Sequence, residues 1–197
     1  DGILGHVETP YEDLTDLYSQ LKQSGFKIYY TNNLRKAKMY LWNRYEKSPD
    51  ARYGMICSSR DKSLGPFGMK TLPWPKTLNY GRWYNESQDH ADSCCALDLT
   101  VTEFDSQGLE LDCTLMGWGN DFILENGKWN NDRAKRYAYT SDIKDAFTLR
   151  RNAYRVLLTR ARDGMILYLP REELWNETRD HLIQCGIEDL DLVDRNQ

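Results

Sequence analysis

Thr100-Val101-Thr102-Glu103-Phe104-Asp105-Ser106-Gln107-Gly108-Leu109-Glu110-Leu111-Asp112 carries the end of one apolar run, a polar turn with a central glycine, and the start of a second run. Taken with its flanks, it predicts buried strands at 95–101 and 113–118, joined by the turn 102–112. Upstream, residues 53–57 read as a buried strand and 26–30 as a short one. Between them a helix over 33–47 places Leu34, Ala37, Leu41 and Tyr45 on one side, and Ser48-Pro49-Asp50 breaks it. Thr9-Pro10-Tyr11-Glu12 reads as a capping box opening an earlier helix, along which Tyr11, Leu14, Leu17, Tyr18 and Leu21 recur at helical spacing before Gly25 stops it. Downstream, a helix over 147–162 precedes a strand at 165–169. A last helix, carrying Leu174, Trp175, Thr178, Leu182 and Cys185, stops at Gly186. Strands and helices alternate, which predicts an α/β fold with a largely parallel sheet flanked by helices. Ligands of such sheets sit beyond the carboxyl ends of the strands, so the turn 102–112 and the surroundings of Arg160 are the places for a site.

One segment departs from this rhythm. Residues 61–92 hold Pro66, Pro73 and Pro75 with Phe67, Trp74, Tyr80, Trp83 and Tyr84, and regular structure is not expected there. Its aromatic density argues for packing, against the domain's own sheet or a neighbouring domain, with stacking on nucleic-acid bases as the sharper alternative. Trp83 is the candidate stacking residue.

The chain has 197 residues, 40% hydrophobic and 28% charged, with net charge −4 and mean hydropathy −0.74. That suits one domain over 1–197 able to bury its own core. No stretch reaches the ~18 consecutive apolar residues of a membrane span. Asp1-Gly2-Ile3-Leu4 is neither a basic, apolar leader nor a natural start, so a fragment of a longer polypeptide is expected. Five cysteines (Cys57, Cys94, Cys95, Cys113, Cys185) without a C-x-x-C pair, and three scattered histidines, encode neither a disulfide framework nor a zinc site. Reduced thiols suit a cytoplasmic address, and Cys94 and Cys95 point to opposite faces if they lie in a strand. Residues 131–162 carry nine Lys or Arg against three Asp, while 171–197 carry eight acids against three Arg. The basic stretch is a solvated face or, with Arg155 within it, a grip on nucleic-acid phosphate.

Two stretches carry chemistry. In the turn, Gly108 lets backbone approach a ligand, Thr102 and Gln107 can donate to phosphate or sugar oxygens, and ionised Glu110, an acceptor only, suits a ribose hydroxyl. The second is Asn152-Ala153-Tyr154-Arg155-Val156-Leu157-Leu158-Thr159-Arg160-Ala161-Arg162-Asp163-Gly164, a helix with an apolar stripe and several guanidinium groups. Such a group aimed at a terminal phosphate stabilises the charge of phosphoryl transfer, an effect of ~10³–10⁵ in rate.

In this order, the two stretches resemble motifs V and VI of superfamily 1 helicases, and their wording is closest to the Schlafen-like branch of DNA/RNA helicase domains. The resemblance covers nearly all of 25–185 and implies a RecA-like, P-loop NTPase-type sheet acting as the second motor domain. It implies that Arg160 is the arginine finger on the γ-phosphate and Glu110 the acid that holds the ribose, with Gln107 and Gly108 lining the cleft. Thr102 falls where the family contacts the nucleic-acid backbone, but Asp105-Ser106 is inserted relative to the commonest spacing, which leaves its role open. Residues 53–60 resemble motif IV, with Arg60 approaching the γ-phosphate. No G-x-x-x-x-G-K-[ST] loop and no matched acidic metal motif occur. ATP would therefore be shared with an N-terminal ATPase domain that holds Mg²⁺, and this chain alone should hydrolyse nothing. The expected function is the C-terminal motor domain of an ATP-dependent DNA or RNA helicase or translocase. The alternatives are a non-catalytic nucleic-acid-binding module of the same shape, or a protein-interaction domain docking through Trp74 or Trp83.

Overall fold

The computed structural model describes residues 3–4, 15–71, 78–134 and 145–193. Along the chain run α1 (Thr15–Gln23), β1 (Lys27–Thr31), α2 (Leu34–Tyr45), β2 (Tyr53–Cys57), α3 (Tyr80–Asn85), β3 (Thr100–Thr102), β4 (Leu111–Gly117), β5 (Ile123–Glu125), β6 (Lys128–Asn130), α4 (Ala146–Leu158), β7 (Ala161–Tyr168), α5 (Asn176–Gln184), β8 (Glu188–Asp189) and α6 (Leu190–Val193). Six strands form one sheet in the order β3-β2-β4-β7-β1-β8, with every pairing parallel. This is the expected α/β fold, consistent with a RecA-like architecture. β2 and β4 are buried along their whole length, so neither shows the alternation of a half-exposed strand, although the buried Asp112 and Thr114 interrupt the apolar residues of β4.

The two crossovers β1 to β2 and β4 to β7 run in opposite senses across the sheet, so right-handed connection puts α2 and α4 on opposite faces. Side-chain alternation agrees. Tyr29 meets Tyr40 of α2 edge-on, with ring centroids 5.7 Å apart, whereas Ile28 and Met165 share a pocket with Leu158 of α4. α2 is held where the sequence expects it, with Asn33 Oδ1 accepting from Lys36 N at 3.1 Å and Ala37, Leu41 and Tyr45 buried.

Four expectations need correction. Residues 95–101 are not one strand. Cys94–Ala96 is a 3₁₀ turn in which Ser93 Oγ accepts from Cys95 N at 3.2 Å, Leu97 follows with positive φ, and β3 is only three residues long. The sulfurs of Cys94 and Cys95 consequently lie 3.8 Å apart instead of on opposite faces. The helix expected through Arg162 stops at Leu158, because the Thr159 hydroxyl donates back to Arg155 O and Val156 O and Leu111 N–H takes Arg160 O into the sheet at 3.1 Å. Within 61–92 the short helix α3 forms, capped by Asn79 Oδ1 on Arg82 N. Its Trp83 is 2% exposed and packs where Gly54 leaves room for the ring, so this part of the segment folds onto the domain's own sheet. Finally, β5 and β6 pair as an antiparallel hairpin that the alternation argument passed over. Its signal was Asn126-Gly127, both at positive φ as a tight hairpin turn demands. Trp74 and the capping box Thr9–Glu12 lie outside the described residues.

α5 carries a buried histidine whose charge matters. His181 is 1% exposed, and its Nε2–H donates to Ile3 O at 2.6 Å. Burial lowers its pKa below the ordinary histidine value. The unfolded chain therefore takes a proton that the folded chain refuses. Stability is held above about pH 6.5 and declines as pH falls through it, by at most about 1.4 kcal/mol per pH unit. Thermal melts should show Tm falling over that window, and His181→Gln should remove that part of the slope; an unchanged slope would rule His181 out as its source.

Candidate functional site

α4 and the loop 103–110 form the site because both run against the strand direction. The loop returns from the carboxyl end of β3 to the amino end of β4 without a helix of its own, and α4 descends to the amino end of β7. Between them lies an open groove of about 430 Å³. Arg60, Gln107 and Arg160 line it, together with Glu103, Arg150 and the half-exposed Leu149 of α4, and Phe104, 64% exposed, stands in its wall. The groove thus extends from Arg60, just past β2, to Arg160, just before β7. The expectation of a site beyond the carboxyl ends of the strands holds for Arg60, after β2, and for Glu103 and Phe104, after β3, but not for Arg160.

At the far end, β4 and β7 align Leu111 with Ala161. Glu110 and Arg160 are the residues immediately before that aligned pair, on neighbouring backbones of the kind spaced ~4.8 Å apart. Glu110 is exposed and its carbonyl accepts from Tyr84 OH at 2.7 Å, so it stands beside Arg160 at the groove's end without lining it. Arg160 sits in the helix-to-strand turn, not on the helix. Its Nε–H donates to Val156 O at 3.1 Å, and among the described residues no carboxylate pairs with it. A guanidinium aimed by one backbone bond and left without a counter-ion is suited to an external anion. Gly108 is exposed with φ +81, and nothing stands within 4 Å of where a Cβ would be. The left-handed turn is by itself a reason for glycine there.

Three predicted nucleic-acid contacts lie elsewhere. Thr102 is 4% exposed, and both its N–H and its hydroxyl donate to Asp105 Oδ2, at 2.8 and 2.7 Å. Asp105 Oδ1 also accepts from Tyr80 OH at 2.6 Å, and Ser106 N–H and hydroxyl return to Thr102 O. The inserted pair Asp105-Ser106 is therefore what closes the turn, and it occupies Thr102. Trp83 is a core ring. Arg155 lies on the other flank of α4, donating to Asn152 Oδ1 at 3.1 Å and lining the pocket that holds Leu158 and Met165.

Sequence reasoning missed Arg150, which is 3% exposed beneath the groove. Its Nη1 donates to Ser58 Oγ at 2.8 Å and to Asp121 Oδ2 at 3.1 Å, and its Nη2 to Glu103 Oε1 at 2.8 Å. Glu103 also accepts from Ser59 N and Ser59 Oγ, while Asp121 accepts from Ser58 Oγ and from Tyr154 OH. One buried cation so joins the turn bearing Arg60, the loop bearing Gln107, the segment after β4, and α4. Burial raises the Asp121 pKa above the ordinary carboxylate value against the pull of Arg150. Burial opposes the charge on Arg150, but Asp121 and Glu103 outweigh it and its pKa is raised. An arginine at 150 in a run already read as basic gave no sign of burial; only the inward face shared with Tyr154 and Leu157, at helical spacing, hinted at it.

Comparison with protein families matches residues 6–171 to the family described as Schlafen group 3, DNA/RNA helicase domain. The chain belongs to this family. The match spans all the elements that build the groove, from Arg60 to Arg160, and agrees with the resemblance to a Schlafen-like DNA/RNA helicase domain. Comparisons with curated proteins and with solved structures give no match. Among the described residues of this Schlafen-type helicase domain, no group of three or more His, Cys, Asp or Glu side chains could hold a metal ion, and no helix is long and apolar enough to cross a membrane.

Proposed function

We propose that this domain is the second motor domain of an ATP-dependent DNA or RNA helicase or translocase, lending Arg160 and Glu110 to a nucleotide cleft shared with a phosphate-loop domain. The observation that carries the reading is the β4–β7 register, which sets Glu110 beside Arg160 at the end of a groove also lined by Arg60 and Gln107. In this reading Arg160 reaches the γ-phosphate when the two domains close, and Arg60 approaches it from the turn after β2. The Glu110 carboxylate accepts from the ribose hydroxyls, and the Gln107-Gly108 turn borders the cleft. The phosphate cradle and Mg²⁺ ligands belong to the other domain, since the 197 residues contain no phosphate-loop motif. Reopening after hydrolysis shifts one domain against the other along a strand. Of the three sequence-derived nucleic-acid contacts, Arg155 is the one that keeps an accessible side chain.

Glu110 gives the direct test. In the full-length protein, Glu110→Ala should weaken ATP binding by about tenfold, the scale of a hydrogen bond to a charged group. It should also erase any preference for ATP over its 2′,3′-dideoxy analogue. A variant that still discriminates the two nucleotides would remove Glu110 from the ribose.

A further inference from the structure

On the face of the sheet opposite α4, β1 and α2 enclose a second groove, of about 450 Å³. Lys27 and Tyr29 alternate onto this face from β1, and Lys36, Tyr40, Asn43 and Arg44 supply a stripe at helical spacing from α2. The carboxylates around it are engaged. Asp191 pairs with Lys36 at 3.3 Å and Glu188 with Lys22 at 2.8 Å, while Asp163 offers its backbone oxygen to Arg44 Nη2 at 3.0 Å and its side chain to Tyr45 OH at 3.5 Å. Lys27 and Arg44 are left with no carboxylate partner among the described residues, and Arg44 Nη1 is buried without an acceptor. Burial raises the pKa of the Tyr29 and Tyr40 phenols above the ordinary tyrosine value. The Lys27 ammonium and the Arg44 guanidinium thus bring positive charge to the groove with no carboxylate opposite them, and Tyr40 lies between Arg44 and Tyr29, hydrogen-bonded to each.

We infer that this groove binds the phosphate of a nucleoside monophosphate unit, free or within a nucleic-acid strand. An acceptor-only group matches a wall of donors, and the volume is that of a small-molecule site rather than of a lone ion. The exposed Met39 and the half-buried ring of Tyr40 give the base or sugar apolar surface. Because α2 and α4 cover opposite faces, this site stands or falls separately from the α4 groove.

The test is a titration of this chain, followed by amide NMR shifts, with inorganic phosphate, AMP and a 5′-phosphorylated oligothymidylate of about ten nucleotides. Saturable shifts should cluster at Lys27, Tyr29, Tyr40 and Arg44. Lys27→Glu should weaken binding by about tenfold, the size of one charge-assisted hydrogen bond, with an unchanged Tm, and Arg160→Ala should leave these shifts alone. Equal saturation by AMP and the oligonucleotide assigns a free nucleotide; tighter, salt-dependent binding of the oligonucleotide assigns a strand. Shifts that never saturate with any of the three probes, or binding that survives Lys27→Glu, overturn the site.

Discussion

Arg160→Ala should lower the nucleic-acid-stimulated ATPase rate of the full-length protein by about 10³-fold or more, the contribution of an arginine finger in phosphoryl transfer, with little change in Tm. The second half of that expectation follows from the geometry. Arg160 is only partly buried, forms one side-chain bond to Val156 O, and has no carboxylate partner among the described residues, so its removal strands no buried charge. Arg160→Lys should restore little, because an ammonium cannot reproduce the planar fork. An Arg160→Ala enzyme that turns over at the parent rate would end the assignment of this residue to the γ-phosphate. Loss of rate together with loss of folding would point instead to the helix-to-strand turn.

Arg150→Ala should act the other way round, on stability first. It leaves Glu103 and Asp121, 6% and 0% exposed, without the cation both face. Breaking such a buried pair costs about 3–5 kcal/mol, a large share of the ~5–15 kcal/mol that holds a domain together. Chemical denaturation of this chain reads the loss directly. The network also joins the Arg60 turn and the Gln107 loop to α4, so any variant that survives should show Arg60 and Gln107 no longer acting in concert with Arg160. A denaturation midpoint equal to the parent's would mean that the cluster contributes nothing net.

These two arginines stand ten residues apart in one basic run, and the contrast between them separates what could be read from what could not. The motif-like wording around Arg160 was legible because it is local: a glycine turn, an acid, a helix end. Burial of Arg150 was not legible, since its partners Ser58, Glu103 and Asp121 are brought to it from three other segments. The same division holds for the fold. β2 and most of β4 were plain in the sequence because a strand buried on both faces is rich in apolar residues along its length. The end of α4 and the start of β7 were misplaced by several residues because Leu111, far away in sequence, takes the Arg160 carbonyl. Asn126-Gly127 was available as a hairpin signal, but the short strands flanking it carry too little apolar pattern to stand out beside it.

By itself, the sequence determined the α/β class, the stops of α1, α2 and α5, and the residue types available to the site, because propensity, turn chemistry and apolar periodicity act over a few neighbours. Only the tertiary structure decided which residues share a groove. It set Glu110 beside Arg160 through strand register, withdrew Thr102 and Trp83 into the interior, and put a buried cation under the site, since pairing and burial are settled between segments that the chain keeps far apart.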